Sequence, residues 1–525
     1  MIRATWSLAL VLALVATAPA QPGPADALVH HPSSTSSAAA QRCFDRGLTL
    51  FYAYNRAASQ RAFACAAKAD PAFAMAHWGI ALAHGTNINV EVDAAGEKAA
   101  YAAIQRARSL QSTASDSERA YIAALATRYS GDAKPNLHAL ALAYKNAAAA
   151  LAARYPDDSD AAVLAAESAM ELRAWNWFTP AGIPAPGTPE IIASLESVLA
   201  REPMHIGANH LLIHMTESSL QPDRGLVSAG RLRGMRFEAG AAHLVHMPAH
   251  TYMRTGDFPA AAEVNEHASM HDLAYRHEAH EADLEASAYH DHNLTMLAAA
   301  YANEGDWHDA KRVAGLLIRD GAYVPAMFVY VRFARWEDAL AMPQPKPDRN
   351  EPFRDGVWHF TRGMAFAGTG RMRAAQTELA AVRRARTTPV IQAVPGFFNS
   401  SQSIYAVASD VLAAKIARAH GDAHTAVALL RRAAAAQDGF LYIEPPDWYA
   451  PARESLGAAL LAAGDPGAAG VAFREDLRRN PGNPRSLFGL SEALKAERST
   501  QAAGARARFA ASWAHADTTL TTAQL

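Results

Sequence analysis

Apolar residues return every three or four positions along nearly the whole chain beyond residue 40, with alanine filling much of the space between them. This period matches one face of an α-helix, and the large apolar side chains fall on the stripe that a helix would bury. Segments of strictly alternating polarity, the pattern of a half-buried strand, are absent. The pattern therefore predicts an all-α protein.

A glycine-centred turn separates these helical segments at several points, with an alanine four or five residues after the glycine. The copies are Gly256 with Ala261, Gly305 with Ala310, Gly370 with Ala375, Gly421 with Ala426, and Gly464 with Ala468. Glycine closes a helix in the left-handed conformation, and the small alanine lets the next helix pack closely. We therefore expect helical hairpins throughout, with loops at 350–358 and 387–402.

The recurring turn resembles that of the tetratricopeptide repeat, a helix pair of about 34 residues. Asp70-Pro71 and Asn480-Pro481 resemble the proline step that closes this repeat. The resemblance implies a tetratricopeptide-like α-solenoid, a right-handed superhelix of helical hairpins. The turns are irregularly spaced, which indicates that several units carry insertions or have diverged.

Longer motifs resemble a group of exported bacterial tetratricopeptide proteins over nearly the whole mature length. The motifs are Ala74-Met75-Ala76-His77-Trp78-Gly79, Gly207-Ala208-Asn209-His210, His243-Leu244-Val245-His246-Met247-Pro248-Ala249-His250, His292-Asn293 and Glu444-Pro445-Pro446-Asp447-Trp448-Tyr449. The resemblance implies the fold and export, and it brings no activity with it.

The first twenty residues have the pattern of a secretory signal peptide: Arg3, an apolar run over 8–15, and a small-residue cleavage site at Ala18-Pro19-Ala20. We predict a flexible leader at 21–40, N-terminal hairpins at 41–200, a histidine-rich segment at 201–320 and C-terminal hairpins at 321–525. No later apolar run approaches the roughly 18 residues of a membrane span, so we expect no transmembrane anchor and a periplasmic or secreted location.

The cysteines and the charge balance of the chain limit the compartments and partners that we expect for it. Cys43 and Cys65 are the only cysteines, and they fall on the two helices of the first predicted hairpin. An oxidising compartment permits a disulfide between them, and two free buried thiols are the alternative. With 49 basic against 51 acidic residues, the chain has no broad basic surface, so we expect no nucleic-acid partner.

Histidines are concentrated in the middle of the chain. Twelve of the 22 lie between His205 and His292, where an even spread would place roughly 4. Counted from the glycine turns, one narrow stripe of a first helix holds His210, His214 and Glu217, and the next holds His243, His246 and His250. His292 begins the following unit. The repeat resemblance predicts that these three neighbouring helices direct their side chains into one concave groove.

Imidazoles on adjacent helices suit a transition metal ion, which we expect to be Cu or Zn, or else Fe. The predicted ligands are His210, His214, His243, His246, His250 and His292. Met215, Met247 and Met253 favour copper if they face inward, whereas Pro248 interrupts the helix between two of the histidines. Asn209 and Asn293 are candidates to orient imidazoles, or are ordinary helix caps. The alternatives to a metal are a set of hydrogen-bonded structural histidines, or histidines that bind an acidic peptide without metal.

Two functions fit this pattern. The first is a binding and scaffolding protein that holds a peptide or protein segment in its concave groove. The second is a metal-dependent enzyme in which Glu217 is a ligand or general base. Motifs of serine hydrolases and nucleotide-binding loops are absent. We interpret the segment from Glu444 to Tyr449 as a tight inter-repeat turn with a stapling Trp448, the alternative being a substrate-contacting loop.

Overall fold

A computed structural model describes residues 29–279, 284–346, 353–387, 399–448 and 450–525. The predicted signal peptide and the first part of the predicted leader lie outside these residues. Among the described residues the regular structure is helical, apart from a single isolated bridge between Phe178 and Pro184.

The helices are numbered in chain order. The N-terminal half contains α1 Ala38–Tyr52, α2 Arg56–Ala69, α3 Ala74–Ala83, α4 Ala94–Ser109, α5 Asp116–Ala126, α6 Leu137–Arg154, α7 Ser159–Glu171, α8 Thr188–Arg201, α9 Ile206–Glu217, α10 Leu226–Gly234, α11 Ala242–His246 and α12 Pro248–Thr255. The C-terminal half contains α13 Phe258–Ala279, α14 Leu284–Glu304, α15 Trp307–Asp320, α16 Tyr323–Arg332, α17 Trp336–Ala341, α18 Arg354–Gly368, α19 Met372–Thr387, α20 Ser401–Ala419, α21 Ala423–Gln437, α22 Ala452–Ala462, α23 Pro466–Arg479, α24 Pro484–Ala496 and α25 Ala502–Ser512.

Successive helices pack mainly on their sequence neighbours, as in the hairpins α1–α2, α13–α14, α18–α19, α20–α21 and α22–α23. The hydrophobic cores follow one another along the chain in the same way, each shared by a few consecutive hairpins. This confirms the predicted all-α, tetratricopeptide-like solenoid. In the part of the chain that is described, no helix combines the length and apolarity needed to span a bilayer.

The glycine turns have the predicted conformation. All five glycines of the turn motif have φ between 77° and 88°, in the left-handed region that favours glycine. The residue after the glycine often caps the next helix as well: the carboxylates of Asp306 and Asp422 accept backbone N–H groups of α15 and α21. The motif thus ends one helix and begins the next.

The turn at Gly256 also brings distant parts of the chain together. A Cβ at this position would lie 2.4 Å from the carbonyl oxygen of Pro481, so only glycine fits. Beside it, the guanidinium of Arg254 donates to the carbonyls of Glu217, Ser219 and Arg479. The C-terminal hairpins therefore contact the histidine-rich segment directly.

The N-terminal region differs from the predicted leader. Residues 29–37 lie against the first hairpins, Val29 is buried, and α1 begins at Ala38. The ring of His31 is 2.7 Å from the Asp160 carboxylate, and the backbone N–H of Ser34 donates to Glu118. These polar partners hold the described part of the leader in place.

Two further predictions can be compared with the structure. Cys43 on α1 and Cys65 on α2 form a disulfide, with their Cα atoms 5.8 Å apart. The predicted loop at 350–358 is wrong for residues 354–358, which belong to α18 because Val357 turns into the core. Most of the predicted loop at 387–402, residues 388–398, lies outside the described residues.

Candidate metal centre

Four helices bring the six predicted histidines together. Helix α9 carries His210 and His214, α11 carries His243 and His246, α12 carries His250, and α14 carries His292. Five of the six are at most 4 % exposed, and His292 is partly exposed. The cluster therefore lies inside the molecule, with its most open side at His292.

Helix α11 ends at His246 and α12 begins at Pro248, because proline cannot donate the backbone hydrogen bond that would continue the helix. Met247 between them keeps helical backbone angles. The interruption therefore leaves the helical direction almost unchanged. The Nε2 atoms of His246 and His250 lie 2.7 Å apart across it.

The first group of three imidazoles, which we call the α12 trio, consists of His246, His250 and His292. The Nε2 atom of His246 lies 2.7 Å from that of His250 and 3.1 Å from that of His292. One ligand nitrogen from each ring falls within 4.8 Å of the others. These separations bracket the nitrogen–nitrogen distances around a metal ion bound at about 2.0–2.1 Å.

The second group, the α9 trio, consists of His210, His214 and His243. The Nε2 atoms of His210 and His243 lie 3.1 Å apart, and the three ligand nitrogens are again within 4.8 Å of one another. Aromatic rings surround this trio: Tyr54 lies 4.5 Å from the ring of His210, measured between ring centroids, and Trp175 lies 5.3 Å from that of His214.

Hydrogen bonds on the far side of the rings determine which nitrogen carries the proton. His210 Nδ1 is 2.8 Å from the carbonyl oxygen of Tyr52, an acceptor without a proton, so Nδ1 donates. That carbonyl belongs to the last turn of α1, where helical acceptors lack partners within the helix. The proton on Nδ1 leaves Nε2 of neutral His210 with a free lone pair facing His243.

The same reasoning applies to His246. Its Nδ1 lies 2.6 Å from Oδ1 of Asn265, whose amide nitrogen donates to the carbonyl of Ala261. Oδ1 is therefore the acceptor and His246 Nδ1 the donor. Nε2 of His246 then presents a lone pair to His250 and His292. Such second contacts, made to the nitrogen away from the centre, orient metal-binding imidazoles.

Glu217 joins the two trios. Its Oε1 lies 2.7 Å from His214 Nδ1 and its Oε2 lies 2.5 Å from His250 Nδ1. Because a carboxylate accepts, both Nδ1 atoms donate to it, and the Nε2 atoms are directed away from it into the cluster. The structure thus places Glu217, which is fully buried, behind the imidazoles.

A second carboxylate, Glu444, pairs with the same Nδ1 of His250. Burial alone would lower the pKa of His250, but the charges of Glu217 and Glu444 raise this pKa to about 10. Burial and the charge of Glu217 raise the pKa of Glu444 to about 7. The two buried carboxylates therefore favour a cation at this position.

The other five imidazoles are neutral at pH 7. Burial lowers the pKa of His292 to about 3, and it lowers those of His210, His214, His243 and His246 well below the usual value. Neutral imidazole is the form that binds metal ions. Five of the six imidazoles are therefore lone-pair donors, and the sixth, His250, carries a proton that a metal ion would displace.

The 440–448 loop covers the cluster from the C-terminal half. Glu444 reaches His250, and the hydroxyl of Tyr442 lies 3.4 Å from Oε2 of Glu217. Trp448 packs on Phe360 in the core, with ring centroids 4.9 Å apart. The interpretation of this segment as a turn with a stapling tryptophan is therefore incomplete, because its acidic residue belongs to the site.

The predicted orienting asparagines lie elsewhere. Asn209 donates to the carbonyls of Pro203 and His205, and Asn293 donates to Asp272. In the described part of the chain neither forms a hydrogen bond to a cluster imidazole, and that role falls to Asn265. Of the predicted methionines, Met215 and Met247 pack in hydrophobic cores, whereas Met253 lines a cavity of about 140 Å³ with Glu444.

Comparisons with known proteins bear on the fold only. No protein-family model matches the chain, and no curated protein matches it by sequence. Solved structures similar to it include the crystal structure of the P58(IPK) TPR domain, with 11 % identity and a TM-score of 0.23 over 87 % of this chain and 98 % of that one. Human IFIT1 as a dimer with m7Gppp-AAAA has 11 % identity and a TM-score of 0.31, over 91 % of each chain. Human IFIT1 with PPP-AAAA has 10 % identity and the same TM-score, over 86 % of each chain. Values this low carry no argument about ligands or activity.

Proposed function

We propose that this chain is an exported binding and scaffolding protein of the tetratricopeptide type that holds a transition metal ion at its buried histidine cluster. The primary ligands are Nε2 of His246, His250 and His292. The ion is Cu or Zn, or else Fe, because imidazole nitrogen suits these metals.

One observation carries the metal proposal: the inner nitrogens of three imidazoles converge in a buried space. Nε2 of His246 has a lone pair, since its proton sits on Nδ1 opposite Asn265. The facing Nε2 atoms of His250 and His292 are 2.7 Å and 3.1 Å away. The single lone pair of His246 accepts well from only one of them, whereas a metal ion that displaces the His250 proton would use a lone pair of each ring.

The structural alternative is a proton in place of the metal. A protonated His250 can donate from Nε2 to His246, and Glu217 and Glu444 stabilise its charge. That arrangement uses the single lone pair of His246 for His250, so that Nε2 of His292, 3.1 Å away, has no acceptor left on His246. A metal ion accounts for more of the cluster than a proton does.

Export is supported by the disulfide. Cys43 and Cys65 are paired, and disulfides persist mainly in oxidising compartments outside the cytoplasm. We therefore propose a periplasmic or secreted location for the protein, in agreement with the signal-peptide pattern of residues 1–20.

The proposed mode of partner binding differs from the open concave groove that the sequence predicts. The solenoid fold supports binding of a peptide or protein segment, but α1 and the 440–448 loop cover the imidazoles. A peptide would therefore bind on other surfaces of the solenoid. We propose that the metal ion has its role inside the scaffold.

A metal-dependent enzyme is the second candidate function. Three protein ligands leave an ion with an open coordination position, as in catalytic zinc sites. Glu444, which contacts His250, also lines the cavity of about 140 Å³ together with Met253, Met296 and Trp448. This cavity is large enough for a small molecule close to the ion.

Metal analysis tests the proposal. We expect protein purified from the periplasm without affinity tag or chelator to contain a stoichiometric transition metal, measured by plasma mass spectrometry. His246→Ala should lose it, whereas His267→Ala, an exposed position on α13 in the same histidine-rich segment, should keep it. Wild-type protein that stays metal-free after incubation with Cu, Zn and Fe would exclude both candidate functions of the site.

A further inference from the structure

We infer that the cluster is dinuclear: a second ion binds the α9 trio of His210, His214 and His243, next to the ion at the α12 trio. This inference rests on the proposed metal site and adds to it a second ion and a fixed stoichiometry.

The ligand nitrogens divide into two sets of three. Within each trio they lie within 4.8 Å of one another, so that small side-chain movements would bring all three onto one ion. A single ion with six imidazole ligands at about 2.1 Å would hold all six nitrogens within roughly 4.2 Å of one another. The six nitrogens instead fall into two groups of three, with Glu217 joining His214 of one group to His250 of the other, and this grouping favours two ions.

The second trio has unsatisfied polar atoms of its own. His214 Nε2 and His243 Nδ1 are buried and have no hydrogen-bond partner. His214 donates from Nδ1 to Glu217, so its Nε2 carries a lone pair directed into the cluster. Burying such an atom unpaired is costly, and an ion in the α9 trio would provide the missing partner.

The two positions are adjacent. Ring centroids of His214 and His250 lie 5.2 Å apart, and those of His243 and His246 lie 5.9 Å apart. Rings within one trio are separated by similar distances, 4.8 Å between His210 and His214 for example. Two ions bound here would lie a few ångströms apart, like the roughly 3.5–4 Å pairs of dinuclear enzymes.

Glu217 gives the two ions a shared support. One of its oxygens accepts from His214 in the α9 trio and the other accepts from His250 in the α12 trio. Such carboxylates increase the basicity of the imidazoles they hold. A single buried residue thus acts on both halves of the centre.

The experiment counts ions on purified, metal-free full-length protein. Cu(I) under anaerobic conditions and Zn(II) in a parallel sample are added in excess, unbound metal is removed, and bound metal is counted by plasma mass spectrometry. We expect two ions per chain in the wild type and in His267→Ala, and one per chain in His243→Gln and in His292→Gln. Circular dichroism on each variant shows that the helices are intact, and His210→Gln replaces His243→Gln if the latter does not fold.

The outcomes separate this inference from the proposed function. One ion per chain that survives His243→Gln and is lost in His292→Gln would overturn the dinuclear centre and leave the single metal site standing. One ion that is lost in both variants would show a single shared ion and would also overturn it. No bound ion of either metal would remove the proposed function itself. Two ions that persist in His243→Gln would place the second ion elsewhere and contradict the assignment.

Discussion

The histidine cluster and a second buried polar cluster, around Arg332, differ in how their charges are matched. In the second cluster the guanidinium of Arg332 on α16 pairs with the carboxylate of Glu454 on α22. Asn483 donates to Glu454 and to Asp476, and the hydroxyl of Ser486 also donates to Asp476. Here a cation faces an anion and most donors face acceptors, although Nε of Arg332 is buried without a hydrogen-bond partner.

The histidine cluster lacks this balance. Lone pairs of His246 and His210 face other imidazoles, and the unpaired Nε2 of His214 lies between the trios. The two clusters differ in their partners: Arg332 finds its counter-charge within the chain, whereas the inner nitrogen of His214 is an acceptor without a donor. A polar cluster whose charges are matched is structural, and a set of converging imidazoles with an unpaired inner acceptor points to a ligand.

The largest loss of stability is expected when the Arg332 cluster is broken. Glu454→Ala leaves the buried guanidinium of Arg332 without its counter-charge, and we expect a loss of about 3–5 kcal/mol in the free energy of unfolding. Urea denaturation followed by circular dichroism measures it. Glu475→Ala, which removes exposed ion pairs with Arg478 and Arg479, is the control and should cost no more than about 1 kcal/mol. A similar small loss in both variants would show that the Arg332 cluster is not a structural requirement.

The next largest effect is the stabilisation of the folded protein by bound metal. With free metal at about 100 times its dissociation constant, binding to the folded state should stabilise the wild type by about 2.7 kcal/mol. His246→Gln should lose this gain, because His246 faces both other ligands of the α12 trio. Thermal unfolding with and without metal measures the gain, with His267→Gln as the control. An equal gain in His246→Gln and in the wild type would be inconsistent with the assigned ligands.

Two buried asparagines allow a matched test of the hydrogen bonds made by the imidazole nitrogens that point away from the centre. Asn265 holds His246, whereas Asn293 pairs with Asp272, and both are completely buried. Asn265→Ala should weaken metal binding by about 10- to 100-fold, as losses of orienting partners do, and Asn293→Ala should leave the affinity unchanged. Competition with a chelator of known affinity measures both. A larger loss of metal affinity in Asn293→Ala than in Asn265→Ala would support the sequence-based choice of Asn293.

The smallest effect concerns the docked leader and depends on pH. Burial lowers the pKa of His31, but the hydrogen bond and charge of Asp160 outweigh it and raise the pKa, while His31 and His205 help to lower the pKa of Asp160. The raised pKa means that the stabilisation from His31 is complete below its unfolded pKa of about 6.5 and is lost as the pH rises through its folded value. The Asp160 contribution is present above its unfolded pKa of about 3.9.

His31→Gln should therefore destabilise the protein by about 1 kcal/mol at pH 6 and by less at pH 9. Thermal unfolding at the two pH values measures the difference, with the exposed His138→Gln as the control. A cost that is the same at both pH values would indicate that packing, and not charge, holds residues 29–37.

Local patterns were sufficient to predict the helices and the histidines. The periodic apolar residues and the glycine turns specify each hairpin within a few dozen residues, and the spacing of His243, His246 and His250 identifies one helical face despite Pro248. The convergence of α9, α11, α12 and α14 follows from the stacking of consecutive hairpins. These are short-range relations, which a sequence displays directly.

The remaining parts of the site depend on long-range packing. Glu444 lies 194 positions after His250, and it reaches the cluster because the hairpins near Pro481 close onto the turn at Gly256. Tyr52 contributes a backbone carbonyl, which has no sequence signal. Asn265 lies on the helix after the histidines, at a position without any distinctive motif. The closed form of the site, in contrast to the expected open groove, has the same long-range origin.

Anomalous X-ray diffraction from crystals grown with the bound metal tests the central claim most directly. Data collected on both sides of the metal absorption edge locate the ion without reference to any assumed ligand. The account predicts a peak about 2.0–2.1 Å from Nε2 of each of His246, His250 and His292. Fully metal-loaded crystals with no peak among the six imidazoles, or with the ion bound at surface residues, would contradict it.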